Sequence, residues 1–174
     1  MFSIDAGLLL LRIVVGLLFV GHGAQKLFGW FGGKGMAPHI EITRKLNVHP
    51  AVLWAWASAL TEFLGGLAFA FGFLTPLVSA ALVGNMLVAI IRAHWKNGLW
   101  NQQGGIEFPL TMALVSFVVG AVGAGVYSLD TILGIEFPEP GTYLIVLGLT
   151  VLAVIVAVTA PVIFQPQRPT QQPR

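Results

Sequence analysis

Seven side chains in this 174-residue sequence place ionisable or hydrogen-bonding groups in strongly apolar surroundings: Arg12, His22, Lys26, Glu62, Asn85, His94 and Glu107. A charge held at the centre of an apolar run costs about 2.5–3.5 kcal/mol on insertion scales, so such groups mark a packed ion pair or a pocket. Arg12 stands inside the first apolar run. Glu62 sits near the middle of the second and is the one carboxylate deep in any run. The expected pairing is therefore Arg12 with Glu62, and Asn85, at a similar estimated depth in the third run, would complete a polar layer across three helices. On a helix His22 and Lys26 fall within about 80° of the direction of Arg12, together with Gly16 and Gly23, so this small and polar face should point inward. Towards the other end of the runs, His22, Lys26, His94 and Glu107 suit proton relay or the anchoring of a polar headgroup around one water-facing pocket.

Each signal also has a purely structural counterpart. A buried Arg12–Glu62 pair would fix helix register without binding anything, and His94 beside Lys96 reads equally well as an interface anchor. Metal binding by His22, His94, Glu62 and Glu107 is not expected, because no HxxxH or ExxH spacing occurs on one helix. The sequence has no cysteine, which removes disulfides, thiolate zinc and cysteine-ligated clusters from this chain. No covalent cofactor is expected. A redox role would need a bound cofactor or another subunit.

The elements that must position these residues are set by composition. With 56% hydrophobic and 9% charged residues, the chain lies far from the roughly 45–50% and 25% of soluble domains, and the fold class expected is an all-α integral membrane protein. A net charge of +2, spread over short segments, argues against nucleic acid; the lipid bilayer is the first partner. Five apolar runs approach the ~20 residues that cross a bilayer, at about 7–27, 51–73, 76–95, 107–126 and 142–163. Pro50, Pro76, Pro109 and Pro140 mark the starts of runs two to five, where a missing N–H is harmless. The short Phe73 to Pro76 connection predicts an antiparallel hairpin. The fifth run carries no charge and reads as the most lipid-exposed helix, peripheral to a four-helix unit.

Lys26, Lys34, Arg44, Lys45, Arg92, Lys96, Arg168 and Arg174 all fall in segments on one side of such a bundle, whereas Asp5, Asp130, Glu136 and Glu139 lie on the other. By the positive-inside rule the N-terminus is outside and the C-terminus cytoplasmic. The leader before Arg12 lacks a basic stretch, so the first run is expected to be retained. Pro38 to Leu46 reads as an amphipathic interfacial helix and 164–174 as a disordered cytoplasmic tail. Residues 1–163 then form one transmembrane domain.

Leu11, Arg12, Gly16, Phe19, His22, Gly23 and Lys26 to Gly29 resemble the opening signature of the DoxX family. Glu62 with Gly65 and Gly66, Arg92 to His94, and Gly105 with Glu107 extend the resemblance over about residues 8–126. It implies a small bacterial or archaeal inner-membrane protein with a four-helix core, to which this sequence adds a fifth C-terminal helix. It also implies one of two roles. The first is a subunit of a quinone-linked redox complex, as in thiosulfate:quinone oxidoreductase, with Arg12, His22, Lys26, Glu62, His94 and Glu107 lining a quinone pocket and further redox subunits as partners. The second is a non-catalytic scaffold or assembly factor for an oxidative-stress complex. A homo-oligomer is compatible with either.

Overall fold

The computed structural model describes residues 3–138 and 140–163, the last four by their backbone alone. Glu139, Arg168, Arg174 and the expected tail at 164–174 lie outside the described residues. Every regular element among the described residues is helical. Four helices are long and apolar enough to cross a membrane: Ile4–Leu27, Ala51–Phe71, Thr75–Asn97 and Gly141–Thr159.

Helix α1 (Ile4–Leu27) begins at Ser3, whose side chain accepts from the Ala6 N–H, and carries Asp5 in its first turn and Lys26 in its last, each at the end its charge favours. A glycine-rich turn leads to α2 (Met36–Lys45), the amphipathic segment, which packs on α3 (Ala51–Leu60). A π turn at Thr61–Gly65 joins α3 to α4 (Gly66–Phe71), and α5 (Thr75–Ala89) likewise passes into a π turn at Ile90–His94. Helix α6 (Glu107–Val122) stops earlier than the sequence pattern suggests, because Gly123 and Gly125 take positive φ. Its 16 residues rise only about 24 Å, short of a hydrocarbon core of about 30 Å. After the short α7 (Leu129–Ile132), α8 (Gly141–Ile163) is the last of the described elements.

Helix α1 lies against α3 and α4 in the opposite sense. A Cβ added to Gly16 would come within 2.6 Å of the Gly66 carbonyl oxygen and 2.7 Å of the Ala70 Cβ, and one added to Gly23 within 2.5 Å of the Phe63 nitrogen. The two backbones therefore touch, as small-residue interfaces allow where no hydrophobic force drives helices together. Phe19, Phe69, Leu82, Met86, Met112 and Val119 fill the space between α1, α4, α5 and α6. Helix α8 packs on α5, burying Tyr143, Val154 and Ala157, with Thr150 seated over Gly84. It keeps a largely exposed apolar outer face, including Leu144, Ile145, Leu149 and Leu152.

Candidate binding cavity

The expected Arg12–Glu62 pair does not form. Antiparallel packing sets Gly16 beside Gly66, so Arg12 comes level with Gly72 and Glu62 comes level with Lys26. About 21 Å of helical rise separates Arg12 from Lys26. Pairing the buried arginine with the one carboxylate deep in a run leaves out the register that these glycines impose.

Arg12 is fully buried at the far end, where its Nη2 donates to the Tyr127 carbonyl at 2.5 Å and Asp130 supplies the nearby opposite charge. Gly72, at φ +63, turns the chain there; a side chain would strain that backbone and strike the guanidinium carbon at 2.8 Å. The Asp130 carboxylate accepts from Leu74 N (2.7 Å), Thr75 N (2.9 Å) and Thr75 Oγ1 (2.7 Å). It thereby caps α5 from α7, since Leu74 offers no cap of its own.

At the other end a polar cluster forms around Glu62. Lys26 Nζ lies 2.6 Å from Glu62 Oε1 and donates to Ser58 Oγ at 3.1 Å, while Asn85 Nδ2 donates to the same Oε1 at 2.9 Å. Ser58 and Glu62 are four residues apart and present one face to Lys26. Glu62 and His94 both stand in π turns, where the widened turn redirects side chains and often marks a functional position. Glu62 is 3% exposed. Its Oε2 is buried and has no hydrogen-bond partner among the described residues.

These groups form the polar part of a half-open cavity of about 370 Å³, lined elsewhere mostly by apolar side chains of α2, α3, α5 and α8 such as Ile42, Ala57, Val88 and Val154. That volume lies within the range of roughly 300–1,000 Å³ typical of small-molecule sites. His39 and Thr43 of α2 and Thr150 of α8 add hydrogen-bonding groups. His39 Nε2 is buried without a partner among the described residues. Burial, reinforced by the Lys26 charge, pulls its imidazole down to about 4, so it is neutral at pH 7. His94 also borders the cavity, and its Nδ1 donates to the Gly104 carbonyl at 2.6 Å, which fixes a proton on that nitrogen and holds the ring in place.

Of the seven residues singled out from sequence, Lys26, Glu62, Asn85 and His94 share this cavity and Arg12, His22 and Glu107 do not. His22 packs its ring on Phe108 at 5.1 Å between centroids. Glu107 is exposed and accepts from the Asn101 N–H at 2.9 Å, pinning the loop before α6. His39, Ser58 and Thr150 escaped the sequence reading. His39 had a signal, as the polar ring of an amphipathic helix, but nothing local says that this helix folds over a cavity.

The DoxX family model matches residues 7–95, just over half of the chain. The chain belongs to the DoxX family. "Putative oxidoreductase CatD" of Bacillus subtilis (strain 168) is 28% identical over 128 residues, which make up 74% of this chain and 87% of that protein. No solved structure matches significantly. In this DoxX protein the polar wall of the cavity, Lys26, Glu62, Asn85 and His94, falls inside the matched segment, whereas Thr150 and Val154 come from α8, beyond it.

Proposed function

We propose that this membrane protein is the quinone-binding subunit of a redox complex, and that the cavity around Glu62 receives the headgroup of a quinone or a similar amphiphile. The observation that carries this reading is the mixed lining of the cavity: the bonded cluster of Lys26, Glu62 and Asn85, with two histidines, is set among mostly apolar side chains. Such a lining suits a ring with hydrogen-bonding substituents and an apolar tail. When bound, a quinone would supply two-electron, two-proton chemistry. The chain itself would orient the ring through Glu62 and His39 and shield it from water with α2. The word oxidoreductase in the name of the Bacillus relative agrees with a redox setting.

In this reading the helices form a bundle of five crossings in a bacterial or archaeal inner membrane, with the N-terminus outside and the basic segments, α2 and the cavity on the cytoplasmic side. Helix α6 would cross with help from the segments that flank it. Electrons would arrive from a partner subunit, since the chain carries no cysteine for a thiol or cluster relay.

One observation favours a scaffold instead. Arg12, the most deeply buried charge, is consumed in fastening α7 and its flanking segment to the bundle and borders no part of this cavity. The two readings separate on purification in mild detergent followed by mass spectrometry of the extracted lipid. A redox subunit carries a quinone that is lost in Glu62→Leu. A scaffold carries only phospholipid, unchanged by that substitution.

A further inference from the structure

From the hydrogen-bonding state of Glu62 we infer that the cavity selects the reduced, hydroxyl-bearing form of its ligand over the oxidised, carbonyl-bearing form. The inference rests on the reading of the cavity as an amphiphile site and names the chemical state that the site prefers. Glu62 Oε1 already accepts from Lys26 and Asn85. Glu62 lines the cavity, and Oε2 of the same carboxylate is buried with no donor among the described residues. A buried carboxylate oxygen without a donor is costly, and an incoming O–H group relieves that cost by donating to it. A carbonyl oxygen in the same place sets acceptor against acceptor.

The other polar groups do not reverse this preference. Lys26 is neutralised by Glu62, so an anionic ligand gains little from the wall. His39 is neutral, with one nitrogen that donates and one that accepts, and so serves a hydroxyl or a carbonyl equally. Asn85 spends an amide hydrogen on Oε1. Glu62 is the group that discriminates, and the ligand class is a neutral amphiphile with a ring hydroxyl, a hydroquinone or an alkylphenol, its tail lying along Val88, Val154 and Ile42.

Four probes test this on the full chain in phosphatidylcholine nanodiscs under anaerobic conditions: decylbenzoquinone, decylhydroquinone, 4-decylphenol and 4-decylanisole, each titrated by thermal stabilisation. The last two differ only in the hydroxyl hydrogen that the methyl group replaces, and neither exchanges electrons. The expected result is that the hydroquinone binds about tenfold more tightly than the quinone, and the phenol about tenfold more tightly than the anisole, the discrimination given by one hydrogen bond to a carboxylate. In Glu62→Gln both ratios fall towards one; should that variant fail to insert, the wild-type ratios decide alone. Four probes that bind with ratios at or below one would overturn the preference for the reduced form while leaving the amphiphile site standing. Four probes that do not bind at all would remove the site and this inference together.

Discussion

Lys26 and Glu62 meet at 2.6 Å, and the two ends of the pair differ in burial: the Lys26 side chain is 24% exposed and that of Glu62 is 4% exposed. The lysine stem can swing to the headgroup layer, whereas the carboxylate has nowhere to go. Lys26→Met therefore leaves a buried carboxylate without its counter-ion and is expected to cost about 3 kcal/mol, whereas Glu62→Gln frees a lysine that relocates and costs about 1 kcal/mol. Thermal unfolding in detergent, run as a double-mutant cycle, reads both values and their coupling. Equal costs would show that the exposure difference has no energetic meaning.

The Arg12 cluster predicts a contrast between two acidic residues at the opposite end. Asp130 accepts from Leu74 N, Thr75 N and Thr75 Oγ1 and faces the buried guanidinium, while Asp5 accepts the Val126 N–H at 3.1 Å in an exposed setting. Asp130→Ala should destabilise the protein by about 3 kcal/mol, through an uncapped helix start and an uncompensated Arg12. Asp5→Ala should cost less than about 1 kcal/mol. Detergent melting curves compare them directly, and a severe loss from Asp5→Ala would place the main lock on the wrong carboxylate.

The helical class, the four long apolar helices and the family were legible because each depends on composition or on local pattern. Residues Lys26, Glu62, Asn85 and His94 were legible as polar groups in apolar runs for the same reason. The partner of each was not. Which charge faces Glu62 is decided by how far α1 slides along α3 and α4, and that offset is set by the Gly16, Gly23 and Gly66 contacts, which a count of depth along each helix cannot supply. Thr150 was invisible for a related reason: an uncharged run shows no polar face, so only its seat over Gly84 reveals an inward side.

That register makes its own prediction. Gly16→Val must force α1 away from the Gly66 carbonyl and is expected to cost about 1–3 kcal/mol or to abolish folded yield. Gly21→Ala, on the same helix with nothing within 4 Å of a new Cβ, should be neutral or stabilise by up to about 1 kcal/mol. Size-exclusion profiles and melting temperatures of the two variants measure the difference. Similar behaviour would mean that α1 does not rest on α4 through this contact.

His39 links the docking of α2 to pH. The undocked ring titrates near 6.5 and the docked ring near 4, so between those values the undocked helix takes up a proton that the docked one refuses. The contribution of His39 is thus fully present above about 6.5, declines as pH falls through the window, and declines no further below about 4. Hydrogen exchange of the α2 amides, followed from about pH 8 to about pH 4, should show protection that falls with acidity in the wild type and a flatter profile in His39→Gln. Parallel profiles would remove His39 as the cause.

Helix α8 lies outside the segment matched by the family yet closes one side of the cavity with Thr150, Ala153 and Val154. If α8 were only a lipid-facing addition, enlarging Thr150 would leave ligand binding untouched. Its position over Gly84, beside Asn85, requires the opposite. Thr150→Leu should fill part of the cavity and weaken decylhydroquinone binding about tenfold, with a loss of about 1–3 kcal/mol in the unliganded protein because the larger side chain presses on the Gly84 backbone. Leu149→Thr, on the exposed face of the same helix, should leave the affinity unchanged. Loss of binding in both variants would point to a general disturbance of α8, and retention in both would move the ligand away from this wall.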